Sequence, residues 1–153
     1  MNRGREAARL HILPQLWARN IWSWKPGIEK PFLRKDGGSE ILVIHPQMPA
    51  MRLICGGLPE LLFCDNESNS GRLWGHKTKG YFKDGINDYV AQGKHDAINP
   101  EAVGTKAAAH YPLIVAGGGS VRLQLRLRPD NASGGLDDFD AVLQRRRDEA
   151  DEF

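Results

Sequence analysis

LIVAGGGSVRLQLRL, residues 113–127, is the stretch on which the fold turns. Three glycines and a serine follow an apolar, β-forming run, a pattern shared by phosphate-cradling loops and by tight turns. A phosphate loop must lead into a helix, because the anion binds the free amides and the positive dipole end of the helix N-terminus. Here the glycines lead into VRLQLRLR (121–128), where Val121, Leu123, Leu125 and Leu127 alternate with Arg122, Gln124 and Arg126. That is the period-2 pattern of a strand with one buried and one wet face. AGGGS (116–120) is therefore predicted to be a hairpin turn between two strands, its glycines accepting positive φ.

Working outward, KAAAHYPLIV (106–115) supplies the preceding strand, and EILVIH (40–45), MRLIC (51–55) and ELLFC (60–64) supply three more, bounded by Pro46, Pro49, Gly56-Gly57 and Pro59. Short strands at this spacing belong to antiparallel sheets. AARLHILPQLWAR (7–19) carries Pro14 inside an apolar run, which predicts an edge strand or two short strands with a bend. The following IWSWKPGIEKPFLRKDGGSE, with Pro26, Pro31 and Asp36-Gly37-Gly38, is read as a surface excursion. Residues 65–105 lose periodicity and scatter Gly71, Gly75, Gly80, Gly85 and Gly93 through polar sequence, predicting a long loop broken by a short strand near Leu73 or a helical turn near Ile86 to Val90. Long loops in small domains tend to carry function. After PDNASGG (129–135) the period becomes helical: Phe139, Val142, Leu143, Arg146 and Ala150 share one face, and Asp137, Asp138 and Asp140 sit where the dipole favours them.

The expected fold is mainly β: a partial antiparallel β-sandwich over 1–135, with a long Gly-rich middle loop, followed by an amphipathic helix over 136–153. A length of 153 residues fits one core, and a net charge of +2 argues for no polyanionic partner. With neither a signal-like apolar run at the N-terminus nor a stretch long enough to span a bilayer, a cytoplasmic location and no membrane partner are expected. Cys55 and Cys64, nine apart in no zinc or redox spacing, read as free thiols.

No motif announces chemistry. The five histidines are scattered without HxH or HExxH pairing, and neither a metal nor another cofactor is expected. Ser120 lies in a turn and not in a nucleophile elbow. Asp84 and Asp88 in KDGINDYV would share a helical face as a carboxylate pair of the kind glycoside hydrolysis uses, but Gly85 weakens that helix and helix-terminal or turn-forming aspartate is the ordinary explanation. DNESNSG (65–71) lacks the EF-hand spacing and reads as turn chemistry. Trp22, Trp24, Tyr81 and Tyr89 suit stacking on a sugar, or else fill a core or an interface. The stripe Arg122, Arg126 and Arg128 reads as a solvated sheet face and not as a nucleic-acid surface.

Four strings, LHILPQLWARNIWSW (10–24), GLPELLFCDNESNSGRLWG (57–75), the run from Tyr81 to Leu127 and FDAVLQRRRDEADEF (139–153), together resemble the N-terminal region of bacterial proteins in or near glycoside hydrolase family 63, the mannosyl-oligosaccharide glucosidase type. The resemblance implies a β-sandwich placed ahead of an (α/α)₆ barrel whose acid and base carboxylates cleave glycosides with inversion. It also implies that the helix over 136–153 leads toward that barrel, so no catalytic residue is assigned to this chain. On this reading the partners are an oligosaccharide, a catalytic barrel in cis or in trans, and a second copy through exposed sheet edges. The substrate-facing candidates are Trp22, Trp24, Tyr81, Lys83, Asp84, Asp88 and Tyr89, because their loops combine aromatic platforms with hydrogen-bonding groups. A stand-alone carbohydrate-binding or assembly module is the alternative.

Overall fold

The computed structural model describes residues 1–25 and 27–153, so Pro26, read above as a turn-former, lies outside the described residues. The elements in chain order are β1 (Ala8–Ile12), β2 (Gln15–Trp17), β3 (Phe32–Lys35), β4 (Glu40–His45), β5 (Met48–Cys55), β6 (Glu60–Cys64), α1 (Ser70–Trp74), α2 (Gly85–Gln92), β7 (Val103–Gly104), β8 (Lys106–Val115), β9 (Leu125–Pro129) and α3 (Phe139–Asp151), with a 3₁₀ turn at His95–Ala97. They form two antiparallel sheets facing each other, the expected mainly-β sandwich with a C-terminal helix.

In the first sheet β8 is the spine. Along one edge run β1, opposite Tyr111–Val115, and β2, opposite Lys106–Ala108; along the other runs β6. Between β1 and β2 the chain bends at Pro14, whose carbonyl still accepts from the Ala109 amide at 3.0 Å. Both halves of the proline reading hold: the run is two short strands, and it lies at an edge, where a missing N–H breaks no ladder. The second sheet has the order β7-β3-β4-β5-β9.

Side chains of alternating parity from both sheets meet in one core: Leu33, Ile41, Leu53 and Cys55 from the second sheet, Phe63, Ala107, Ala109 and Tyr111 from the first. The opposite face of the first sheet is also covered. There Leu62, Cys64 and Ala108 pack against Ile86 of α2, flanked by Tyr81, Tyr89 and Val90. Burial on both faces explains why β8 reads KAAAHY without alternation. Both cysteines are free and buried, and burial pushes the Cys55 thiol up to about 11 and the Cys64 thiol up to about 12.

Three expectations are corrected. AGGGS is not a hairpin turn: β9 pairs with β5 and not with β8, so residues 116–124 cross from one sheet to the other. The segment is still a turn, closed by Gly119 N–H to Ala116 O (2.9 Å) with Gly118 at a positive φ of 71°, while Gly117 serves a close backbone approach, because a Cβ on it would lie 2.2 Å from the Arg5 carbonyl oxygen. The N-terminal segment closes onto this crossover through Asn2 N–H to Gly119 O (2.8 Å) and Gly118 N–H to Gly4 O (3.2 Å). Second, the supposed excursion over 21–40 contains β3, whose Leu33 is fully buried. A four-residue strand flanked by Pro31 and Asp36-Gly37-Gly38 is too short to show a period. Third, the segment at Leu73 is the helix α1 and not a strand; Asn69 caps it by accepting from the Arg72 amide at 3.0 Å, the role turn-forming Asn favours.

The arginine stripe is solvated only at Arg122; Arg126 and Arg128 are partly buried. Arg126 ion-pairs with Asp138 at 2.5 Å, Arg122 pairs with Asp140, and Arg128 donates to the carbonyls of Pro129 and Asp130. The approach of α3 brings these carboxylates to the strand, which no periodicity within 121–128 reveals.

Candidate functional site

Side chains of mixed chemistry gather where β6 ends. The segment Asp65–Asn69 is the organiser, because its polar atoms reach four other loops. Asp65 accepts from the Thr105 amide (3.2 Å) and from Lys30 Nζ (2.9 Å), and its own amide donates to the Tyr81 carbonyl (2.7 Å). Asn66 donates through its amide to Thr105 Oγ1 (2.7 Å) and through Nδ2 to the Ala18 carbonyl (3.0 Å). Glu67 accepts from Trp22 Nε1 (2.9 Å) and pairs with Lys30 (3.1 Å), while its carbonyl accepts from the Lys83 amide (3.1 Å). Lys30 Nζ also stands 5.9 Å from the centre of the Trp22 ring, within cation–π range. Trp22, Tyr81 and Lys83, sixty residues apart in the chain, are thus brought together.

Beside them, Arg72 of α1 holds both aspartates of the KDGINDYV stretch. One of its terminal nitrogens, Nη1, lies 3.0 Å from Asp84 and 3.1 Å from both oxygens of Asp88. Asn69 Nδ2 reaches Asp84 at 3.3 Å, and Gln92 Nε2 reaches Asp88 at 3.1 Å. The Arg72 guanidinium keeps the Asp88 carboxyl below the usual carboxylate range, opposite to what a general acid at neutral pH needs. This pair ties α1 to α2. Of the other candidates, Lys83 is exposed at its side chain and lends its carbonyl to Lys106 Nζ (3.2 Å). Trp24 is 69% exposed, with the Arg19 guanidinium 6.0 Å from its ring centre. A groove of about 260 Å³ opens between this loop and the β4–β5 turn, lined by Arg19, Trp22, Glu29, Pro31, His45 and Gln47.

Tyr89 belongs to a different network. Its hydroxyl donates to Glu60 Oε1 at 2.5 Å, and its ring meets His95 edge-on at 4.9 Å. Glu60 Oε2 lies 3.2 Å from His110 Nδ1, and His110 Nε2 lies 2.7 Å from His11 Nδ1. Burial alone would push the Glu60 carboxyl up; the hydrogen bonds from Tyr89 and His110 outweigh it and hold the group below its ordinary value. His110 is buried, and register sets this chain of contacts, with Glu60 directly opposite His110 in the β6–β8 ladder. Histidines scattered at 11, 95 and 110 look unrelated in the sequence. The available signal was parity: counting by twos from Ala108 puts His110 on the same outer face of β8.

The architecture defines a two-layer antiparallel β-sandwich whose first sheet carries loops and a helix on its outer face. Its sequence is similar to Uncharacterized protein YMR196W of Saccharomyces cerevisiae, with 32% identity over 186 residues covering 97% of this chain. The chain spans 17% of that relative's length. No family model matches the chain, and no solved structure does. Among the described residues, no helix is long and apolar enough to cross a membrane.

Proposed function

We propose that the chain is the accessory, non-catalytic sandwich portion of a glycoside hydrolase family 63-like inverting glucosidase, bracing a helical catalytic barrel and helping to wall its substrate pocket. The observation that carries this reading is the state of α3. None of its residues is buried, and Phe139, Val142 and Leu143 line an apolar groove of about 240 Å³ together with Leu125 and with Leu127, itself 50% exposed. A half-covered apolar stripe on an amphipathic helix is what a helical neighbour would bury. In the relative the matching segment belongs to a far longer polypeptide, which leaves room for a neighbouring domain there and says nothing of its activity. The loops around Trp22 and Glu67 supply an aromatic face, an ammonium and carboxylates, the groups that line sugar sites.

The test is an assay of glucosidase activity with this chain alone and with a separately produced (α/α)₆ barrel of the family. Turnover only on mixing, lost when Val142→Asp and Leu143→Asp are introduced, supports the proposal; enzyme-like turnover by the chain alone overturns it. The groove beside Trp22 also supports a stand-alone carbohydrate-binding module. That reading predicts saturable binding of a gluco-oligosaccharide to the isolated chain, weakened at least tenfold by Trp22→Ala and Trp24→Ala together.

A further inference from the structure

We infer that the outer edge of β1 is a docking site for an extended, acidic strand of a partner polypeptide, which joins the first sheet beside Arg9 and His11. The inference stands apart from the glucosidase reading. Where β1 lies, the first sheet holds only β8 and β1, because β6 reaches no further along β8 than His110, whereas the facing sheet has five strands. Among the described residues no strand pairs with the outer edge of β1. The register shows what that edge offers. The Ala109 amide donates to the Pro14 carbonyl, so odd-numbered β8 residues turn their backbone groups toward β1, and their partners Ile12, Leu10 and Ala8 turn theirs back. The N–H and C=O groups of Arg9 and His11 therefore point away from β8.

The other edge of this end of the sheet is blocked, and the edge of β1 is not. Past His110, the next β8 residue whose backbone faces the β6 side is Pro112, which has no N–H to donate. β1 contains no proline, and on its inner side lies unfilled apolar space. Leu10 and Ile12 line a cavity of about 300 Å³ there, together with Leu113 and with Val121, which is 46% exposed. A strand added along β1 satisfies the free ladder and directs every second side chain to that inner side.

Charge selects the occupant. Arg9 stands on the outer face of β1, with Arg3 and Arg5 just before it in the chain; all three are exposed, and among the described residues none is ion-paired. Glu6 is the one carboxylate in residues 1–12. A second copy paired edge to edge brings two Arg9 side chains onto the same face, where like charges repel. A strand with Asp or Glu on that face neutralises Arg9 instead, and apolar residues at the alternate positions meet Leu10 and Ile12. Both requirements describe one partner: a strand in which acidic and apolar residues alternate.

Amide hydrogen exchange of the full chain, resolved residue by residue, tests the site. In the free chain the amides of Arg9 and His11 are expected to exchange about tenfold faster than those of Leu10 and Ile12, the equivalent of one hydrogen bond. The probe is a peptide of alternating glutamate and valine, blocked at both ends and about seven residues long. It should protect the Arg9 and His11 amides saturably, and a lysine–valine counterpart should bind about tenfold more weakly. Arg9→Glu leaves the backbone edge in place and reverses its charge, so this variant should prefer the lysine peptide, a reversal that misfolding does not produce. Failure of the acidic peptide to protect Arg9 and His11, equal binding of the two peptides, or an unchanged preference in Arg9→Glu overturns the inference. Protection that appears without peptide and grows with protein concentration overturns it as well, because the edge then belongs to a second copy.

Discussion

The first sheet is covered on both faces and the second on one, and their central strands record the difference. In β8 the residues Ala107 to Tyr111 are buried in unbroken succession, odd positions against the second sheet and even positions under α2. In β5 the core-facing Leu53 and Cys55 alternate with Arg52, whose guanidinium gathers Glu40 (2.6 Å), Asp36 (2.7 Å) and Asp130 (2.7 Å). Arg52 lies directly opposite Arg128 in the β5–β9 ladder, a repulsive register that these three carboxylates offset. The second sheet thus closes its outer face with ion pairs. The first hands its outer face to α2 and the loops around it, and every candidate residue except Trp24 is tied there by hydrogen bonds or core contacts.

The shared core is where the comparison breaks most readily. Phe63 is fully buried between the sheets and is the largest such side chain. Phe63→Ala should cost about 3–5 kcal/mol, measured by urea denaturation with tryptophan fluorescence and far-UV dichroism followed together. If the layers form one folding unit, the two signals shift to the same lower midpoint. Separate transitions would show two independently stable sheets.

How far the sequence revealed this depends on where the information lay. β4, β6 and β8 were legible because each is bounded by Pro or Gly, β5 only in its second half, since Pro49, read as a boundary, lies inside Met48–Cys55, and the edge character of β1 and β2 followed from Pro14 alone. The partner of β9 was not legible: alternation in VRLQLRLR predicts a strand over 121–128, which forms only from Leu125 onward, and says nothing about its neighbour. The reason for Gly117 lies in Arg5, more than a hundred residues away, which no local pattern records. Likewise Trp22, Tyr81, Lys83, Asp84 and Asp88 could be picked out by residue type. Of the residues that fix them in place, Lys30, Arg72 and Thr105 looked like ordinary surface residues and Glu67 like part of a turn.

The outer face of the first sheet can be tested at α2 itself. Gly85 opens this helix, and a Cβ there would lie 2.0 Å from the Ala97 carbonyl oxygen, so the helix start is pressed against the 3₁₀ turn. A glycine that looks like a weakness for helix formation is required by that contact. Gly85→Ala forces the two segments apart and is expected to cost about 1–3 kcal/mol, as overpacking does. Cys64, which packs against Ile86, reports on the same event. Its alkylation in the native protein should accelerate in Gly85→Ala while that of Cys55, between the sheets, does not. Equal acceleration of both thiols would mean that α2 is no separate cover but part of the central core.

The finest distinction concerns the short contact that ties α2 to β6. Tyr89→Phe keeps the ring against Leu62 and Ala108 and deletes only the hydroxyl that donates to Glu60, so the loss at neutral pH should be small, about 0.5–1.5 kcal/mol. The pH dependence carries more information. Because the folded Glu60 carboxyl lies below its ordinary value, its ionised form contributes stability above the unfolded carboxylate range, near pH 4.3, and that contribution disappears as pH falls through the lower folded value. Without the tyrosine hydroxyl the folded and unfolded values move together, so the fall in stability between roughly pH 5 and pH 3 should be shallower in Tyr89→Phe than in the parent. An identical acid limb in the two proteins would mean that the His110 contact alone holds Glu60 down. The outer face would then be fastened to β6 by packing, as the core is, and not by its polar network.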